Sequence, residues 1–172
     1  MNNSILSYSY ASNEIKGYKT SEIAKNEKND CFVRAVASAT GSHYDTAHEY
    51  VKENFNREKG KGTELVALHM MNLEEKGMNI GGKEFKVKVL PTNRITNKYK
   101  LYGEIVKRKK TVKSFIKDNP KGTFIVGVSK HAFTIKDGQL IDNAGEEFRP
   151  TRKVESVFKV TPKVENVQLS LF

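Results

Sequence analysis

Three of the side chains in this chain that can act as nucleophiles or proton carriers stand in an order that suggests one reaction. Cys31 is the single cysteine of 172 residues, and "NDCFVRAVASAT" puts it one step before what reads as the first turn of a helix. A thiol reacts as its thiolate, and the free N–H groups and positive dipole end of a helix N-terminus stabilise that anion. Such a nucleophile also needs a base within hydrogen-bond reach and a third group to orient the base. His131 is the best base: it opens an expected strand, and Asp142 closes the strand that follows, eleven residues on. The Asp137-Gly138 pair between them marks a tight hairpin, so residues near 131 and 142 are expected to face each other across the ladder. Asn143 is the alternate orienting group, on the other side of the strand. The competing reading makes Cys31 a small packing residue beside Phe32 and Val33.

The elements that must carry these groups follow from periodicity. Phe32, Val33, Ala35, Val36 and Ala39 recur at helical spacing as far as Gly41, which can adopt the left-handed conformation that ends a helix. A second helix is expected from Asp45 as N-cap, with Ala47, Tyr50, Val51 and Phe55 on one face. A third runs from Thr63 to Gly77 and carries Leu65, Leu68, Met71 and Leu73. The period then drops to two, with Phe85, Val87 and Val89 on one face of a strand. "NKYKLYGEIVKRKK" is ambiguous, and "TVKSFIKDNPKG" is a short helix stopped by Pro120. "TFIVGV", "HAFTI", "QLID" and "KVESVFKV" are strands. The pattern predicts an α+β fold, N-terminal helices packed on a C-terminal antiparallel β-sheet. Residues 1–22 read as an N-terminal arm with one short strand, 23–160 as the domain and 161–172 as a tail.

Asn29-Asp30-Cys31 opening a helix, followed about a hundred residues on by "GTFIVGVSKHAFTIKDGQLIDN", resembles the papain-like cysteine peptidase superfamily, in particular its small bacterial and phage members. The resemblance covers roughly residues 25 to 145. It implies a papain-like fold in which Cys31 is the nucleophile, His131 the general base and acid, and Asp142 the orienting carboxylate. The substrate it implies is a protein or peptide, cleaved at an amide, isopeptide or related acyl bond. In that superfamily a polar side chain upstream of the cysteine, often Gln, joins the cysteine's own N–H in an oxyanion hole. No Gln precedes Cys31, which leaves Asn26 or Asn29 for that task. The alternative class is a non-catalytic scaffold of the same fold whose basic surface and tail bind DNA or a replication clamp.

No cofactor or metal is expected. His43, His48 and His69 lack ligand spacing, "AHEYV" lacks the second histidine of a zinc-binding helix, and no Gly-Lys-Ser/Thr follows a strand. With 37% hydrophobic and 29% charged residues the chain matches one globular domain with a lysine-rich surface. Its net charge of +10 attracts anionic partners. The basic stretch from Lys98 to Lys121, interleaved with Tyr99, Tyr102 and Phe115, suits non-specific nucleic-acid contact through phosphates and base stacking, although such a run is also the composition of a solvated face. One cysteine excludes an internal disulfide and fits a reducing cytoplasm, and no stretch approaches the roughly 18 apolar residues of a membrane span, so a cytoplasmic location is expected, which the family resemblance places in a bacterial host cell.

The last five residues, Gln168, Leu169, Ser170, Leu171 and Phe172, resemble the bacterial sliding-clamp-binding motif, a short extended peptide that docks on the replication clamp. That likeness implies a phage or bacterial protein working beside replicating DNA. A terminal strand packing Val167, Leu169 and Leu171 on the domain is the competing reading.

Overall fold

Runs of Val, Ile and Phe in the second half of the chain build the centre of a mixed, mostly antiparallel sheet. The computed structural model describes residues 7–64, 73–144 and 148–164. Strands β1 (Tyr8–Tyr10), β2 (Met78–Ile80) and β3 (Lys83–Val89) come from the first half. The second half adds β6 (Thr123–Val128), β7 (His131–Lys136), β8 (Gln139–Asp142) and β9 (Ser156–Pro162). They form one seven-stranded sheet in the order β1-β8-β7-β6-β9-β3-β2, in which β1 and β8 pair in parallel and the other pairs are antiparallel. A separate two-stranded ribbon joins β4 (Thr96–Leu101) to β5 (Glu104–Lys109).

Both faces of the sheet are covered, which is why "TFIVGV" reads as continuously apolar. Successive strand residues point to opposite faces, and Ile125 accordingly packs in one core while Phe124 and Val126 pack in the other. The first core belongs to helices α3 (Cys31–Thr40) and α4 (Tyr44–Phe55), through Phe32, Val33, Val36, Tyr44 and Val51. On the opposite face α7 (Val112–Asp118) buries Val112 and Phe115 completely. The shorter helices are α1 (Ala11–Glu14), α2 (Glu22–Asn26), α5 (Leu73–Lys76) and α6 (Thr92–Ile95). No helix among the described residues is long and apolar enough to cross a membrane.

Helix α3 ends as its sequence predicts, on Gly41 at φ 66°. Its contact with β7 is polar as well as apolar. Thr134 Oγ1 donates to the Ala35 carbonyl at 2.7 Å and accepts from Ser38 Oγ at 2.7 Å, with both side chains buried. A buried neutral hydrogen bond of this kind is worth roughly 1 kcal/mol net. Thr134→Val is therefore expected to lower the unfolding free energy by about 1 kcal/mol in urea titration, because Ser38 retains the Arg34 carbonyl at 2.8 Å as an alternative acceptor.

The short strand expected within residues 1–22 is β1, which adds to the edge of β8, and Ala11 and Ile15 after it are buried in the first core. The apolar residues here lack a period because the segment turns from strand to a single helical turn within eight residues. The N-cap of α4 is His43, whose Nδ1 accepts from the Asp45 backbone N–H at 3.3 Å; Asp45 instead accepts from Ser21 Oγ. Of the third helix only Leu73–Lys76 is described, and Leu65, Leu68, His69 and Met71 lie outside the described residues. So do Gln168 to Phe172.

Candidate active site

Cys31 is the first residue of α3, and the residue before it does not cap the helix with its side chain. Asp30 is drawn away by two stronger partners, accepting from Arg34 Nε at 3.0 Å and from Tyr44 Oη at 2.8 Å. The N–H groups of the first turn are thus left without a capping carboxylate.

His131 reaches Cys31 from the first position of β7, across a hundred residues of sequence. Its Nε2 lies 2.6 Å from Asp142 Oδ2, leaving Nδ1 for the sulfur. The expected facing pair is displaced by two residues. Thr134 pairs with Ile141 and Lys136 with Gln139, so the ladder continues toward Phe133 beside Asp142. His131 and Asp142 meet as diagonal neighbours, within reach of an imidazole and a carboxylate. The offset follows from the turn: Asp137 at φ 46° and Gly138 at φ 79° make a two-residue loop placed one residue farther along the chain than the Lys136-Asp137 loop on which a 131-to-142 pairing would close.

The electrostatics of the cluster follow from these contacts. Burial pushes the Cys31 thiol up, but hydrogen bonds to His131 and to the Ala132 backbone, with the charges of His131 and Arg34, outweigh it and leave the pKa below the ordinary thiol value. Burial acts on His131 in the opposite sense, and the Asp142 carboxylate and the Cys31 sulfur overcome it, raising the imidazole to about 9. Both shifts act in the same sense, favouring the thiolate–imidazolium pair over the neutral thiol and imidazole.

Arg34 completes the cluster and went unrecognised in the sequence. Its Nη1 is buried without a hydrogen-bond partner and lies 3.7 Å from Asp142 Oδ1, whose nearest donor is the Asn143 backbone N–H at 2.8 Å. The signal was present in the spacing: residue 34 sits one turn after residue 31 on the same helix face, and Asp30 and Arg34 stand in the i,i+4 relation of a helical ion pair. Asn143 does not orient His131. Its Oδ1 accepts from the Ser12 N–H at 2.9 Å and its Nδ2 donates to Tyr18 Oη at 3.3 Å.

The sulfur and the imidazole open into a cleft of about 840 Å³ lined by Asn29, Cys31, Arg34, Thr63, His131 and Glu155, among others. Of the two asparagines, Asn29 alone borders this cleft. One of its amide hydrogens goes to the Gly60 carbonyl at 3.0 Å, and the second is not engaged by that bond. Asn26 instead donates to the Glu22 carbonyl at 2.8 Å, closing its own helix, and borders a different depression beside His48.

Asn29 is held at φ 56° by a buried clamp that sequence reasoning also missed. Arg57 Nη2 pairs with Glu27 Oε2 at 2.7 Å, and its Nη1 donates to the Lys61 carbonyl at 2.7 Å and the Asn29 carbonyl at 3.3 Å. The other carboxylate oxygen of Glu27 meets His48 Nε2 at 3.0 Å. The clamp fastens the loop that carries Gly62 and Thr63, one wall of the cleft, to the segment leading into Cys31. Its partners are about thirty positions apart, and no local pattern announces such a pair. Among the described residues no group of three or more His, Cys, Asp or Glu side chains is gathered as a metal site. Comparison with family models, with curated proteins and with solved structures gives no match for this chain.

Proposed function

We propose that the chain is a cysteine-dependent hydrolase of papain-like type, acting on an amide, isopeptide or related acyl bond of a peptide or protein. The observation that carries this reading is the contact series Cys31, His131, Asp142 at the mouth of an open cleft, with the thiol at a helix N-terminus and the imidazole raised to about 9. A buried packing cysteine needs neither an imidazole nor a carboxylate behind it.

The chemistry balances within the residues present. The Cys31 thiolate attacks the acyl carbon, and the developing oxyanion lies near the N–H groups of the first turn of α3 and the Asn29 amide. His131 gives its proton to the leaving nitrogen, which departs as the amine and leaves a thioester. Neutral His131 then takes a proton from water, the hydroxide displaces the thiolate, and the carboxylic product leaves. Asp142 holds the imidazole through Nε2 in both steps.

A vinyl-sulfone or activated-acyl probe tests the reading. Wild-type protein is expected to become labelled at Cys31, located by peptide mass mapping, far faster than a free thiol, and Cys31→Ala to remain unlabelled. Labelling no faster than that of free cysteine, and indifferent to His131→Ala, would sink the proposal.

A further inference from the structure

The ribbon formed by β4 and β5 has no part in the cleft chemistry, yet its composition is sharply sorted. The register pairs Lys98 with Lys107, Thr96 with Lys109 and Lys100 with Ile105. Alternation therefore puts Lys98, Lys100, Lys107 and Lys109 on one face of the ribbon, and Asn97, Tyr99, Leu101, Glu104, Val106 and Arg108 on the other. Like charges directly opposite each other destabilise a strand pair. Lys109 lies 3.7 Å from Glu155, while Lys98, Lys100 and Lys107 have no ion-pair partner among the described residues. Protection of exposed strand edges accounts for a lysine here and there. It does not account for four on a single face, two of them facing each other.

The tip gives a second, independent observation. Tyr102 and Gly103 form the two-residue turn at φ 48° and 86°, a geometry that favours Asn, Asp or Gly at the first position. A tyrosine there bears backbone strain, and its side chain is 99% exposed, so no packing in the fold repays it.

We propose that the β4–β5 ribbon is a docking arm for duplex nucleic acid, its lysine face lying along the backbone phosphates and Tyr102 reaching the bases. A two-stranded ribbon fits the major groove of a duplex, and strands of six residues span about 20 Å, roughly six base pairs of contact. An anionic membrane is the weaker fit. If the tip entered lipid, Lys109 at the base of the ribbon would stand farther from the surface than the screening length of about 8 Å. The base is anchored, since Lys110 N–H donates to the Ile95 carbonyl at 2.8 Å and Ile95 is buried in the second core.

The test uses the full chain and a fluorescent 20-base-pair duplex of arbitrary sequence, read by anisotropy over a range of salt. Each phosphate contact contributes about 0.9 to the slope of log affinity against log salt. The triple variant Lys98→Gln/Lys100→Gln/Lys107→Gln is expected to reduce that slope by about 2 to 3 and to weaken binding at least about tenfold at 0.1 M salt. Tyr102→Asn, which suits the turn better than tyrosine, is expected to weaken binding severalfold without altering the slope. Lys52→Gln/Lys76→Gln/Lys136→Gln, on exposed positions outside the ribbon, and Cys31→Ala should bind as wild type does. An unchanged slope in the ribbon variant, an equal loss in the control triple, tighter binding to a single strand of the same length, or stronger attachment to phosphatidylserine vesicles would each overturn the proposal.

Discussion

His131→Ala is expected to slow hydrolysis of a fluorogenic peptidyl amide by about 10²–10⁴-fold, the usual range for loss of a general acid–base group. The same variant should slow simple alkylation of Cys31 by iodoacetamide at pH 7 far less, by up to about thirtyfold if the thiol returns to an ordinary pKa of about 8.5, at which roughly 3% is ionised. The gap between the two numbers separates the two tasks of the imidazole, holding a thiolate and delivering a proton to the leaving amine.

Their pH dependence separates too. In the wild type, alkylation needs the thiolate alone and should rise through a single inflection below the free-cysteine value, because the Cys31 pKa is lowered. Hydrolysis also needs the imidazolium, so it should rise with the thiolate and fall as pH passes about 9, where His131 loses its proton. In His131→Ala the alkylation inflection should move up toward the free value and the alkaline decline of hydrolysis should vanish. Equal losses in both reactions, with no movement of either limb, would mean that the variant has disturbed the fold and that His131 does not act as a proton carrier.

Arg57→Ala is expected to lower the unfolding free energy by about 3–5 kcal/mol, the penalty for removing one member of a buried ion pair. The side chains of Arg57 and Glu27 are 1% and 4% exposed, so the carboxylate left behind cannot recover solvation without opening the loop. Against an ordinary domain stability of about 5–15 kcal/mol this is a large fraction, and urea titration would register it directly. Burial raises the Glu27 pKa, but His48, Arg57 and the Gly60 N–H together hold it below the usual carboxylate value. A carboxylate depressed in the folded state stabilises fully above its unfolded pKa and loses that contribution as pH falls through the folded one. Arg57→Ala should therefore bring acid unfolding to a higher pH, and hydrolysis should slow because the Asn29 amide is released. A change within about 0.5 kcal/mol, as for an exposed pair, would show that the clamp holds nothing.

What the sequence determined by itself is local. A helix opening beside Cys31 and ending at Gly41, the β7–β8 hairpin on Asp137-Gly138 and the strand β6 are legible because period, capping and turn chemistry act within a few residues. These features name Cys31, His131 and Asp142 as candidates and reach no further. The ribbon was ambiguous because both its faces meet solvent, so no apolar alternation marks it as strand; only pairing sorted its lysines onto one side. The tertiary structure alone brought the thiol at a helix start to an imidazole a hundred residues away, carried β1 onto the edge of β8, slipped Asp142 to a diagonal position, and inserted Arg34 and Arg57 beside buried carboxylates. Such contacts depend on which surfaces pack together, and the electrostatic energy that shifts a thiol or buries a guanidinium exists only once water has been excluded from between them.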